Sequence, residues 1–95
     1  MPAQQDAHII HHLAHGATLI HFESRDPARN RARCYVLHRT TTLDGAPAIQ
    51  CMWGRSGQPL RVRAVVSTTP ESVEGVLAHL IRRRLRHGYA IVIWE

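Results

Sequence analysis

The sequence predicts an α+β fold: an antiparallel β-sheet with one main α-helix packed on one face, plus a short N-terminal helix. Three observations predict it. Residues 33–40 alternate in strand period, with Tyr35, Leu37 and Arg39 on one side and Cys34, Val36 and His38 on the other. Asp44-Gly45, a hairpin signal, then returns the chain antiparallel through residues 48–53. Finally Val73, Val76, Leu77, Leu80, Ile81 and Leu85 recur at helical spacing and form an apolar stripe that must be covered.

Each element follows in chain order. Residues 6–15 form a short helix with Ile9, Ile10 and Leu13 on one side and His8, His11, His12 and His15 on the other, ended by Gly16. Residues 1–16 are thus a His-rich leading segment, and residues 17–95 a single domain. Residues 18–23 read as a strand, with either Ile20 and Phe22 or, one register over, Leu19 and His21 facing inward. After a loop through Asp26-Pro27 come the two hairpin strands. Gly54 to Pro59 turns the chain again, and residues 60–66 place Leu60, Val62, Ala64 and Val66 inward, with Arg61 and Arg63 outward on one face. Thr69-Pro70-Glu71 announces the main helix, with Thr69 as N-cap, proline at the first helical position and an acid against the positive dipole end. Four arginines, Arg82, Arg83, Arg84 and Arg86, load its C-terminal end, and Gly88 suits the residue after the cap. Residues 89–94 are a short apolar run suited to a last strand.

Ninety-five residues with 44% hydrophobic content hold one core and no apolar run near the ~20 residues that span a bilayer, so no membrane association is expected. The N-terminus lacks the basic and apolar regions of a secretory signal, and the two cysteines, Cys34 and Cys51, suit buried free thiols, with a Cys34–Cys51 bridge as the alternative if their strands are neighbours; a reduced, cytoplasmic setting is the expectation. All twelve basic residues are arginine against seven carboxylates, a formal charge of +5. Planar guanidinium groups favour phosphate, so the partner expected from charge is nucleic acid, with DNA favoured. A GC-rich genome replacing lysine everywhere would produce the same arginine preference, so the net charge is the more informative quantity.

No catalytic constellation emerges. Glu71 and Glu74 sit in early helical turns, no serine occupies a nucleophile elbow, and the cysteines lie within strands. The chain is expected to be no enzyme and to need no cofactor. His8 with His12, or His11 with His15, has the i, i+4 spacing that binds zinc, copper or nickel, but no carboxylate or thiolate is placed to complete a site, so no metal centre is expected.

Trp53-Gly54-Arg55 is the most specific motif: an aromatic face and a cationic fork where a strand ends in a turn, the pairing that stacks on a base or sugar and holds phosphate. With Asp26, Asn30, Arg33 and Tyr35 before it, Gly57-Gln58 after it and Arg86-His87-Gly88-Tyr89 later, the chain from about Leu19 to Tyr89 resembles the WGR domain family. The resemblance implies an antiparallel sheet with a single main helix and a non-enzymatic binding module. In the WGR domains of poly(ADP-ribose) polymerases the equivalent tryptophan packs on the terminal nucleotide of a broken DNA end, and the stretch matching Arg29, Asn30, Arg31 and Arg33 helps grip the 5′ phosphate. By that resemblance the nucleic-acid-binding residues are Arg29, Asn30, Arg31, Arg33, Tyr35, Trp53, Gly54, Arg55 and Gln58, with Arg61 and Arg63 extending the phosphate track. WGR domains also make interdomain contacts, so the same surface on Trp53 and Arg55 implies a protein-interaction adaptor as the other reading. Four features depart from the family pattern. Only Ser56 separates Arg55 from Gly57-Gln58, three residues fewer than usual, Cys34 stands where an aromatic is common, and the basic C-terminal end of the main helix and the Ile91-Val92-Ile93-Trp94 segment lie outside the pattern. A last apolar strand left unpaired at a sheet edge would give a monomer that dimerises weakly.

Overall fold

The computed structural model describes residues 3–95, with side chains from Ala7 onward. Its elements are α1 (Ala3–Gly16), β1 (Leu19–Asp26), β2 (Arg31–Thr41), β3 (Pro47–Arg55), β4 (Val62–Ser67), α2 (Val73–Arg86) and β5 (Ala90–Trp94), with a 3-10 turn at Pro27–Arg29. The five strands form one antiparallel sheet in the order β4-β3-β2-β1-β5. Both helices lie on one face, which makes an α+β slab of two layers. No described helix is long and apolar enough to cross a membrane.

Side-chain alternation decides which face is covered. Ile20 and Phe22 of β1 point to the helices, resolving the register left open by sequence, and pair with Leu37 and Tyr35 of β2, which in turn oppose Cys51 and Trp53 of β3. Ile10, Leu13, Ala14 and Ala17 from the N-terminal segment and Val73, Leu77, Ala78 and Ile81 from α2 close over them. Each fully buried Val, Leu, Ile or Phe side chain among them contributes about 1.5–3 kcal/mol. α1 therefore forms part of the core layer rather than a loose appendage, and Ile9, expected inside, is 43% exposed.

Arginines from β2 tie down both helix ends. Arg39 donates to the carbonyl of Ala14 (3.2 Å), and Arg31 donates to the carbonyl of His87 (3.3 Å). Each guanidinium meets the carbonyls that a helix C-terminus leaves unpaired and the negative end of its dipole.

Three local readings are corrected. The main helix begins at Val73, because Thr69–Ser72 forms a preceding turn in which the Thr69 carbonyl accepts from Ser72 and Val73; Ser72 is the cap and makes no side-chain capping bond. Leu60 lies outside β4, whose pairing with β3 shifts between Cys51 and Met52. That bulge takes up Arg63, turns Val62 beside Met52 onto the open face, and separates Arg63 from Arg61. Finally, Trp53, Gly54 and Arg55 all lie within β3, opposite Tyr35, Cys34 and Arg33, so the turn starts only at Ser56.

Candidate functional site

Where α2 ends above the start of β2 and the end of β3, the covered face of the sheet is left partly open. The α2 terminus itself sets the geometry. Gly88, at φ +85°, donates to the carbonyl of Leu85 and Tyr89 donates to that of Arg84 (3.1 Å), a Schellman closure that folds Tyr89 back against the last helical turn. Tyr89 then meets Tyr35 edge-on, with ring centroids 5.9 Å apart, while Tyr35 stacks on Trp53 at 5.3 Å and 10° between planes. The three rings form a ladder running from the helix end across β2 to β3.

Arginines border this ladder. The Arg84 guanidinium carbon lies 4.3 Å from the Tyr35 ring centroid and 5.6 Å from that of Tyr89, Arg31 lies 5.8 Å from Tyr89, and Arg63 lies 5.9 Å from Trp53. The bulge in β4 is what delivers Arg63, whose Nε donates to the Trp53 carbonyl at 2.7 Å. Trp53 thus has Tyr35 from β2 on one side and Arg63 from β4 on the other, and keeps 36% of its surface exposed.

Three adjoining hollows make up the cleft. The largest, of about 440 Å³, has an apolar floor of Cys51, Ala64, Val66 and Leu80 and a rim of Arg33, Arg83 and Arg84 around the rings. A second, of about 320 Å³, lies between Arg33, Trp53, Gly54, Arg55 and Tyr89. The third, of about 230 Å³, is lined by Arg29, Asn30, Arg31, Ala32, Arg33 and Arg55. None of the three is lined by a carboxylate, so the guanidinium charge there is not cancelled locally. The exceptions are partial: Asp26 approaches Arg29 at 3.5 Å, and Arg31 is committed to the α2 terminus. Asn30 adopts the left-handed conformation (φ 51°), and its side-chain and backbone oxygens accept from Arg55 at 3.2 and 3.5 Å, fixing the fork of that arginine.

Of the residues singled out by sequence, Arg29, Asn30, Arg31, Arg33, Tyr35, Trp53, Gly54, Arg55 and Arg63 come together here. Gln58 and Arg61 do not: Gln58 sits in the exposed turn after β3, and Arg61 lies beyond the bulge that redirects its neighbour. Gly54 lies in regular strand, where an added Cβ would meet only the Leu60 side chain at 3.4 Å, so it is not required there by a turn. Sequence reasoning set the arginines from Arg82 to Arg86 only against an acidic surface in the adaptor reading, and did not place Arg83, Arg84 or Tyr89 among the nucleic-acid-binding residues. Their signal was the arginine run ending at a glycine just past the helix cap and followed by an aromatic.

Burial pushes the Tyr35 hydroxyl up to about 12 from the usual 10, with the neighbouring Cys51 raising it further and Arg84 pulling it down. Burial likewise raises both thiols, which are free and shielded. A raised phenol favours the fold below pH 10, and that contribution is lost as pH climbs through 12. Absorbance titration should therefore show a tyrosinate phase near pH 12 that Tyr35→Phe removes; its persistence in the variant would contradict the burial argument.

The histidine face of α1 lies away from this cleft. His15 Nδ1 meets Glu74 of α2 at 2.9 Å, and no group of three metal-ligating side chains occurs among the described residues. The cleft is an aromatic ladder with a cationic rim and an apolar floor, and no family model, curated protein or solved structure matches the chain that carries it.

Proposed function

We propose that the chain is a non-enzymatic, WGR-type binding module that recognises nucleic acid, with DNA ends or nicks favoured, in a reduced cytoplasmic setting. The observation that carries this reading is the Tyr89–Tyr35–Trp53 ladder edged by Arg33, Arg55, Arg63, Arg83 and Arg84 with no carboxylate in the lining. Rings offer faces to bases of any sequence, and guanidinium groups fork onto phosphate oxygens. A base would add at the outer side of Trp53, displacing Arg63 toward a phosphate, while Arg33 and Arg55 hold the adjoining one. Such contacts position a strand without reading its sequence.

A protein-interaction adaptor using the same surface is the second reading. It is favoured by Trp53 being only 36% exposed, with Tyr35 already stacked on it, which suits a half-buried anchor as well as a platform.

Fluorescence anisotropy separates the two. Labelled nicked duplex, intact duplex and single strand are compared at two salt concentrations with wild type and Trp53→Ala. Preference for 5′-phosphorylated ends, abolished by Trp53→Ala and falling steeply with salt, is expected. Equal weak binding to all three, untouched by the substitution, would defeat the nucleic-acid reading and favour the adaptor.

A further inference from the structure

We propose that the largest of the three hollows in the cleft is a seat for a single unpaired base. The chain then selects a 5′-phosphorylated end carrying an unpaired nucleotide over a fully paired end; this rests on the nucleic-acid reading and narrows it. The shape of the hollow comes from the pairing of β3 with β4. On the helix-facing side Ile49 pairs with Val66 and Cys51 with Ala64, and Trp53 follows two residues beyond Cys51. Two small side chains thus lie between larger ones. Because same-face neighbours on a strand are ~7 Å apart, the dip is one residue pair wide.

The lining is apolar around this dip and cationic at its rim. Trp53 and Leu80 of α2 border the floor, and Arg33, Arg83 and Arg84 complete the lining. Ala64 itself is exposed, so no second layer covers the floor at that point. Neither Arg33 nor Arg83 forms an ion pair among the described residues. Arg33 also lines the second and third hollows, beside Arg55, Asn30 and Arg29. The apolar seat and the guanidinium cluster therefore share one side chain, which is the spacing of a base and its own phosphate.

Shape and charge together select the occupant. A flat ring suits the face of Trp53 and the shallow floor, and an anion attached to that ring answers a rim of guanidiniums with no carboxylate. An aromatic side chain of a protein brings the ring without the phosphate. A paired base brings a second base and a second backbone, for which a space of about 440 Å³ between the rings, the sheet and α2 has no room. An unpaired base gives up no partner and loses little by leaving its stack. The base that displaces Arg63 from Trp53 thus lies over Ala64 and Cys51, out of line with the duplex, instead of extending the duplex stack.

Competition anisotropy with the full chain tests this against three 5′-phosphorylated DNA hairpins: one blunt, one with a single unpaired 5′ thymidine, and one with an abasic residue in its place. Wild type should bind the unpaired thymidine at least about tenfold more tightly than either of the others. Ala64→Trp fills the dip from an exposed strand position and leaves every arginine in place, so it should erase that preference. Leu80→Trp fills it from the helix side, with far-UV circular dichroism reporting the fold of both; should Leu80→Trp unfold the protein, Ala64→Trp decides. Equal affinity of wild type for all three hairpins overturns the base seat and leaves nucleic-acid recognition standing, as does a preference that survives in a folded, filled variant. Binding to none of the three overturns both.

Discussion

Phe22→Ala should destabilise the protein by about 3–5 kcal/mol, a large share of the stability of a domain this size. Phe22 is fully buried on β1, near the middle of the sheet, and belongs to the cluster joining α1, α2 and the inner strands. No neighbour can collapse into its space without distorting both helices, so the lost transfer energy is joined by a cavity term. Total stability for a domain of this size is roughly 5–15 kcal/mol. Urea denaturation followed by tryptophan fluorescence measures the difference directly. A loss under ~1 kcal/mol would mean that the helix layer repacks freely, at odds with a shared core. Ile9→Lys, by contrast, starts from a partly exposed position and should cost far less.

That contrast marks how far local pattern reaches. Strand alternation located the faces of β2 and β3 because their apolar positions repeat every second residue, and the helical stripe from Val73 to Leu85 matched the buried side of α2 apart from its partly exposed members. β4 was misread for a physical reason. Leu60, Val62, Ala64 and Val66 alternate without interruption, but a bulge at Arg63 inverts the phase before Ala64, and nothing in local sequence encodes an extra residue opposite a partner strand. The same blindness hid the helix side of the cleft. Tyr35 and Trp53 were visible as cross-strand neighbours, whereas Tyr89 reaches Tyr35, more than fifty positions earlier, only because Gly88 reverses the end of α2.

Arg84 sits at that long-range meeting point, and Arg84→Ala should lower nucleic-acid affinity by about 10- to 100-fold, corresponding to one charged contact of roughly 1.5–3 kcal/mol. Its guanidinium lies closest of the rim arginines to a ladder ring, 4.3 Å from the Tyr35 centroid, and also approaches Tyr89. On the proposed nucleic-acid reading, removing it takes away a phosphate donor and loosens the alignment of both tyrosines. Arg84→Lys separates these two contributions. Lysine keeps the positive charge but cannot lay a planar fork over a ring, so the salt dependence of binding should stay near wild type while affinity falls partway. The alanine variant should lose about one unit of the salt slope as well. If lysine restored full affinity, the ring contacts would be incidental and the cleft would act by charge alone. If neither substitution altered binding while Trp53→Ala did, the ligand would approach from the β3–β4 side only, and the α2 terminus would serve solely to hold the tyrosines in place.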